Sequence, residues 1–355
     1  MALLWPNDLP RNSAGNSAGN SAGNSAETSP DYLPDDTPQA DGPGRLTGHQ
    51  QLTEQILQAA PFAGFDRLPD AWRAQWPSVW APLAAHIALQ KQRRNAFVIG
   101  IHGGQGSGKS TLSQALAALF RQVFNWQVVV LSIDDLYLPH AERQQLARAV
   151  HPLLATRGVP GTHDAPLGIR LLSQLKQLQS GDSLQIPAFD KASDDRLAQD
   201  RWHAVQGPVD LVLFEGWCVG CRAVAADRLA TPVNALEADE DRDGQWRSWV
   251  NAQLAGTYHA WFREIDELIM LKVPDMSAVL DWRGQQEQGN RQAATGTGPD
   301  RSMDKAALQR FIQHYQRLTE QALSDMPGWA DVVLELNHDH QVDLIRLGNH
   351  DGGDL

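Results

Sequence analysis

Apolar positions along this chain follow two spacings. Short continuous runs at Ala96–Ile101, Val128–Ile133, Val209–Phe214, Leu268–Val273 and Val332–Leu336 are rich in β-branched residues and read as buried strands. The last is placed to pair with Val342–Ile345. Between these runs, apolar residues recur every three or four positions, which predicts helices over Lys109–Arg121, Leu167–Leu178 and Trp246–Phe262. A further helix is predicted from near Met276, and a long one from Met303 with Leu308, Phe311, Ile312, Tyr315 and Leu318 on one side. Continuous apolar strands alternating with amphipathic helices predict an α/β fold, a mainly parallel sheet covered on both faces.

The segment before this pattern differs. From Asn12 the chain repeats Asn-Ser-Ala-Gly, then becomes rich in Pro, Asp and Gly, a composition that buries no core. Residues 1–45 are therefore expected to be a disordered, low-complexity tail, and 46–355 a single domain. Within it, 46–95 is read as a helical extension and 96–347 as the core. Leu52, Ile56 and Leu57 share a helix face, and Trp72, Trp76 and Trp80 recur every fourth residue, with Pro77 and Pro82 breaking the run. Such a stripe reads as core packing and receives no catalytic role.

Composition narrows the function. Lys+Arg 30 against Asp+Glu 42 leaves a net charge of −12 over 355 residues. That surface repels nucleic-acid backbones and anionic membranes, so phosphates have to be handled in a local pocket. No run approaches the ~18 apolar residues that cross a bilayer. The first residues lack a signal peptide's charged and apolar regions, so a cytoplasmic location is expected. Two cysteines make no disulfide framework.

The strongest chemical signal is Gly103-Gly104-Gln105-Gly106-Ser107-Gly108-Lys109-Ser110, followed by Thr111. It matches G-x-x-x-x-G-K-[ST] and stands between a predicted strand and a predicted helix, as the motif requires. Glycines let successive N–H groups converge on phosphate oxygens, and the following helix points its positive end there. Lys109 would reach the β- and γ-phosphates of ATP, and the Ser110 hydroxyl would ligate Mg²⁺. The expected fold becomes a P-loop NTPase, a three-layer α/β/α arrangement.

Asp134 and Asp135 end the second strand, on the edge where α/β sheets bind ligands. An acid there can orient an attacking hydroxyl and accept its proton. Asp134 is favoured as that base, the alternative being that both acids cap a loop. Glu215 ends another apolar strand, as a Walker B acid does, and would hold Mg²⁺ directly or through water.

The set GGQGSGKST, LSIDDLYLP, RGVPGTHD, PAFDK, LFEGW and DWRGQQE resembles the D-glycerate 3-kinase family, within the group containing uridine kinase, phosphoribulokinase and bacterial-type pantothenate kinase. The resemblance runs from about Gln50 to Leu347. It implies ATP-dependent phosphorylation of D-glycerate to 3-phosphoglycerate, with Asp135, Tyr137, Arg157, Thr162, His163, Asp164, Lys191 and Arg196 lining the acceptor site. A small hydroxy acid needs a cation for its carboxylate and acceptors for its hydroxyls. Arg157 can bind the carboxylate bidentately, and Asp164 with His163 can fix the hydroxyls. The alternative for Asp164 is a helix cap, and for Arg196 a structural ion pair. Related kinases carry a lid near Asp281-Trp282-Arg283, so Arg283 is the candidate to close over the transferred phosphoryl group, with Arg291 and Arg301 nearby and Trp282 a possible neighbour of adenine.

Cys218 and Cys221 read as small residues packing a turn, and His338, His340 and His350 as part of an acidic solvated end. No N-K-x-D or L-S-G-G-Q tetrad or pentad occurs, which excludes a regulatory GTPase and a transporter ATPase. A kinase for another small alcohol (uridine or pantothenate) and a non-catalytic nucleotide sensor remain as alternatives.

Overall fold

The computed structural model describes residues 47–92, 94, 96–293 and 305–348. The tail expected over 1–45, together with Arg301, Met303 and His350, lies outside the described residues.

Helix α1 (Gly48–Gln58) starts at Thr47, whose hydroxyl accepts from the Gln50 N–H while Gln50 Oε1 accepts from the Thr47 N–H, so two otherwise orphaned donors are satisfied. After α2 (Asp70–Ala74), a single wide turn over Trp76–Trp80 leads into α3 (Ala81–Lys91), with Pro82 in its first turn, where the lost N–H costs nothing. Strand β1 (Phe97–Gly103) passes into α4 (Lys109–Phe124), followed by β2 (Val128–Ser132), α5 (His140–Ala149) and α6 (Ala165–Gln177). The middle of the chain adds β3 (Ser183–Ile186), a small hairpin of β4 (Phe189–Asp190) and β5 (Asp195–Arg196), β6 (His203–Gln206) and β7 (Leu211–Gly216). Then come α7 (Ala235–Glu240), α8 (Gln245–Gln253), α9 (His259–Phe262), β8 (Glu267–Lys272), α10 (Met276–Ala293), α11 (Lys305–Asp325), β9 (Val332–Leu336) and β10 (Val342–Leu347).

The main sheet has the order β10-β9-β8-β1-β7-β2. All neighbours are parallel except β9 and β10, which form the antiparallel pair expected from their spacing. Alternate residues of each parallel strand enter opposite cores. Phe97, Ile99, Ile101, Leu211 and Leu213 face a layer built from α1, α3 and α4. Val98, Val129, Leu131, Val212, Phe214 and Met270 face a layer containing α6, α9 and half of α11. Two buried faces explain why these strands read as unbroken apolar runs. The tryptophan stripe is core: Trp72 stacks on Trp80 at 4.1 Å, and Trp76 packs on Phe62 and Phe65.

Three details depart from the sequence reading. Strand β2 does not lie beside β1, because β7 runs between them; Ser132 is level with Glu215, and Glu215 with Ile101. The acids after β2 therefore approach the β1–α4 loop across Glu215. The helix expected over Trp246–Phe262 is two helices joined by a wide turn over Leu254–Tyr258, where Gly256 leaves helical geometry (φ −101°, ψ −110°). Finally, β3–β6 and β4–β5 carry mostly polar, accessible residues and give no apolar run to read.

Helix α6 lies against α9 so closely that a Cβ at Gly168 would overlap the Trp261 indole. Gly168→Ala should lower stability by about 1–3 kcal/mol, since an overpacked core has to shift its backbone. A urea-denaturation midpoint unchanged from the parent chain would contradict that packing.

Candidate active site

The carboxyl ends of β1, β7 and β2 meet on one edge of the sheet, and the residues beyond them form the site. Gly103 ends β1, and the loop to α4 turns through Gly106 (φ +80°) and Gly108 (φ +91°), conformations that side-chain-bearing residues rarely adopt. The loop is hemmed in from outside. A Cβ at Gly106 would lie 2.6 Å from Trp282 Cβ, and one at Gly108 2.8 Å from the Trp72 ring. His340 Nε2 bonds the Gly106 carbonyl at 3.0 Å and its ring stacks on Trp282 at 3.9 Å, while Trp282 Nε1 donates to the His338 carbonyl. None of these contacts was visible in the sequence, because they join residues up to 234 positions apart. They also correct the reading of His340 as part of a solvated end, and they bury Trp282. His338 lies 3.6 Å from Asp275 instead.

Gln105, Ser107, Lys109, Ser110 and Thr111 follow in the expected places at the mouth of the loop and the start of α4. Ser110 Oγ donates to Glu215 Oε1 at 2.9 Å. Glu215 Oε2 and Ser107 Oγ are buried without a hydrogen-bond partner. A buried carboxylate oxygen left unpaired is costly unless something cationic joins it. One hydroxyl and one carboxylate side by side suit Mg²⁺, which keeps several waters and takes few protein ligands.

Across Glu215, a tight 3-10 turn over Ile133–Leu136 presents Asp134, whose N–H is capped by Ser132 Oγ. Both carboxylate oxygens are engaged: Tyr137 Oη donates to Oδ1 at 2.9 Å and Lys191 Nζ to Oδ2 at 2.7 Å. Burial pushes the Asp134 carboxyl up, but the Lys191 and Lys109 ammonium groups and the two hydrogen bonds outweigh it and hold the group below the usual range. Asp135 moves the other way. Burial raises it, helped by the neighbouring charges of Asp134 and Glu215, and the Phe189 N–H offsets this only in part. The pKa values of two adjacent acids are thereby driven apart, one down and one up.

The Arg157–Asp164 loop packs directly against this turn, the Asp164 N–H donating to the Leu136 carbonyl at 2.7 Å. Its backbone is tied by aromatic side chains from elsewhere: Trp217 Nε1 donates to the Gly158 carbonyl, Tyr315 Oη to the Arg157 carbonyl, and Tyr258 Oη accepts from the Gly161 N–H at 2.8 Å. Thr162 is fully buried and spends its hydroxyl on the Gly158 N–H and the Val159 carbonyl, a loop-holding task. His163 stacks on Tyr137 at 4.4 Å and its Nδ1 lies 2.6 Å from Tyr258 Oη, leaving Nε2 buried without a partner. Burial lowers its pKa to about 3, so the ring is neutral. Asp164 caps α6 through the Leu167 N–H and pairs with Arg196 at 3.2 Å. Arg196 also donates to the Tyr137 carbonyl. Arg157 pairs with Asp194, which the fully buried Arg143 also holds.

Arg283 approaches this group from α10: its charge acts on the Tyr315 hydroxyl, which holds the Arg157 carbonyl. It donates to Gln286 and lies over the Phe311 ring at 5.5 Å on α10, and Arg291 follows on the same helix. Cys218 and Cys221 are unbridged and buried, and burial pushes both thiols up. Among the described residues no group of three or more His, Cys, Asp or Glu side chains is arranged to hold a metal, and no helix is long and apolar enough to cross a membrane.

The chain is 31% identical over 243 residues to the chloroplastic D-glycerate 3-kinase of Arabidopsis thaliana, a match covering 66% of this chain and 50% of that protein. It thus spans half the length of that relative. It is 34% identical over 244 residues to the uncharacterized kinase mug58 of Schizosaccharomyces pombe, covering 64% of this chain and 82% of the relative. Among solved structures, D-glycerate 3-kinase from Cryptococcus neoformans superposes with a TM-score of 0.64 at 25% identity, over 76% of this chain and 99% of that one. No protein-family model matches the chain.

Because the thiolate is the reactive form, neither cysteine should react with iodoacetamide in the folded protein, and both should react once it is unfolded. Mass spectrometry reads this directly; rapid native labelling of either would contradict the packing after β7.

Proposed function

Since the chain belongs to the D-glycerate 3-kinase family of P-loop kinases, we propose that it transfers the γ-phosphoryl group of ATP to a hydroxyl of D-glycerate, forming 3-phosphoglycerate and ADP. The observation that carries this reading is a carboxylate, Asp134, held below its usual range by Lys191 at 2.7 Å and by the charge of Lys109 in the phosphate-binding loop. In the proposed reading it faces the terminal phosphate.

In the proposed reaction the loop from Gly103 to Thr111 cradles the phosphates with its N–H groups, and Lys109 spreads its charge over the β- and γ-oxygens. Ser110 and Glu215 would hold Mg²⁺, which would supply positive charge to offset that developing on the phosphates. Asp134 aligns the acceptor hydroxyl and takes its proton as the new O–P bond forms and the bond between the γ-phosphorus and its bridging oxygen breaks. Asp135, Tyr137 and His163 shape the acceptor pocket, and the glycerate carboxylate falls among Lys191, Arg157 and Arg196. Arg283 would act by leaving Gln286 and closing over the transferred phosphoryl group.

Two substitutions divide these roles. Lys109→Ala should abolish turnover with the fold intact by circular dichroism. Asp134→Asn should cut kcat by about 10²–10⁴-fold, the usual weight of a general base, with KM for ATP within about twofold. Coupled ADP-release assays over D-glycerate, other hydroxy acids, uridine and pantothenate, with the product assigned by phosphorus NMR, check both. An unchanged kcat in Asp134→Asn would remove the carboxylate from the chemistry, and turnover with uridine or pantothenate alone would overturn the substrate.

A further inference from the structure

Three cations around the acceptor wall already have carboxylate partners in the free protein: Arg157 with Asp194, Arg196 with Asp164 and Lys191 with Asp134. They differ in how readily they can be drawn away. The Arg196 side chain is 13% exposed and also bonds the backbone around Tyr137, so moving it would unmake the turn. Arg157 shares Asp194 with buried Arg143 and lies over the Phe189 ring, which fixes it to the hairpin. The Lys191 side chain is 63% exposed, on a turn whose backbone is pinned separately by Asp190 through the Ala192 and Ser193 N–H groups. Its ammonium can swing without disturbing the turn.

The partner it holds is the acid assigned to take the proton. With Lys191 on Oδ2 and Tyr137 on Oδ1, each oxygen of Asp134 already accepts a hydrogen bond. Lys191 is also the strongest influence opposing the upward push of burial on that acid. While the pair is closed, Asp134 is a weak proton acceptor with an oxygen blocked. Drawing the ammonium away would free the oxygen and let burial strengthen the base.

Building on the kinase reading above, we infer that Lys191 is the specificity-determining residue for an anionic acceptor, and that the acceptor's own carboxylate opens the Lys191–Asp134 pair. The exchange keeps the ammonium partnered throughout, and the Asp134 carboxylate it leaves still has the Tyr137 hydroxyl and the Lys109 charge. A neutral polyol or water has no anion to offer and meets a closed pair. The step balances: the hydroxyl proton passes to the freed Asp134 oxygen, the alcohol oxygen bonds the γ-phosphorus, and ADP leaves with the electrons of the broken P–O bond. Selectivity for a carboxylate-bearing alcohol, and restraint of wasteful ATP hydrolysis, then arise from one ion pair.

The test uses the full chain and two variants, Lys191→Met and Lys191→Arg. ADP release is followed with D-glycerate, with glycerol, and with no acceptor. Loss of a charge-assisted hydrogen bond should lower the preference for D-glycerate over glycerol in Lys191→Met by about tenfold to hundredfold in kcat/KM. KM for D-glycerate should rise, KM for ATP should stay within about twofold, and acceptor-free hydrolysis should increase, while Lys191→Arg retains most of the preference. In the parent chain, adding propanoate, a carboxylate without a hydroxyl, should stimulate phosphorylation of glycerol; in Lys191→Met it should not. A Lys191→Met enzyme that keeps both the acceptor preference and the low basal hydrolysis overturns the inference. If the parent chain turns over no hydroxy acid, the substrate reading fails instead, and the acceptor-free hydrolysis of Lys191→Met still decides whether the pair restrains Asp134.

Discussion

The structure depends on keeping a carboxylate charged against the upward push of burial. Asp134 stands at the edge of a sheet whose two faces are both sealed by apolar layers, and it stays ionised because ammonium groups reach it from two directions. One belongs to the phosphate loop after β1 and the other to the β4–β5 hairpin. Neither alone accounts for the lowered pKa. Together they require that β1, β7 and β2 end level with one another, which the parallel register ensures by aligning Ile101, Glu215 and Ser132.

The Arg157–Asp164 loop is held in place for a separate reason. Aromatic donors and acceptors from the turn after β7, from α11 and from the turn before α9 grip the carbonyls and N–H groups of the Arg157–Asp164 loop. Behind them lie ion pairs with almost no exposure, Arg247 with Asp241 and Arg317 with Glu237. Such pairs add little net stability, but breaking one leaves an uncompensated charge, so they hold α7, α8 and α11 in one arrangement. The loop's glycines, Gly158 (φ +140°) and Gly161 (φ +98°), take up the unusual backbone this grip imposes.

Much of this was legible in the sequence, and the reason is local. Strands buried on both faces write themselves as apolar runs, and the phosphate loop writes itself as glycines at set intervals before a lysine; both survived comparison with the structure and with relatives. What could not be read depends on partners distant in sequence. That Lys191 meets Asp134, that Trp72 packs under Gly108 and that His340 bonds Gly106 follow only once the sheet order is known. The insertion of β7 between β1 and β2 is of the same kind, since strand order leaves no mark on strand composition. The two small sheets, β3–β6 and β4–β5, escaped because their mostly polar strands lack the pattern that marks a core.

The most direct test is a crystal structure with a non-hydrolysable ATP analogue, Mg²⁺ and D-glycerate. The account predicts the glycerate hydroxyl in hydrogen-bond contact with Asp134 and in line with the γ-phosphorus, with Lys191 moved onto the glycerate carboxylate. An acceptor bound away from Asp134, with the Lys191 pair still closed, would contradict it.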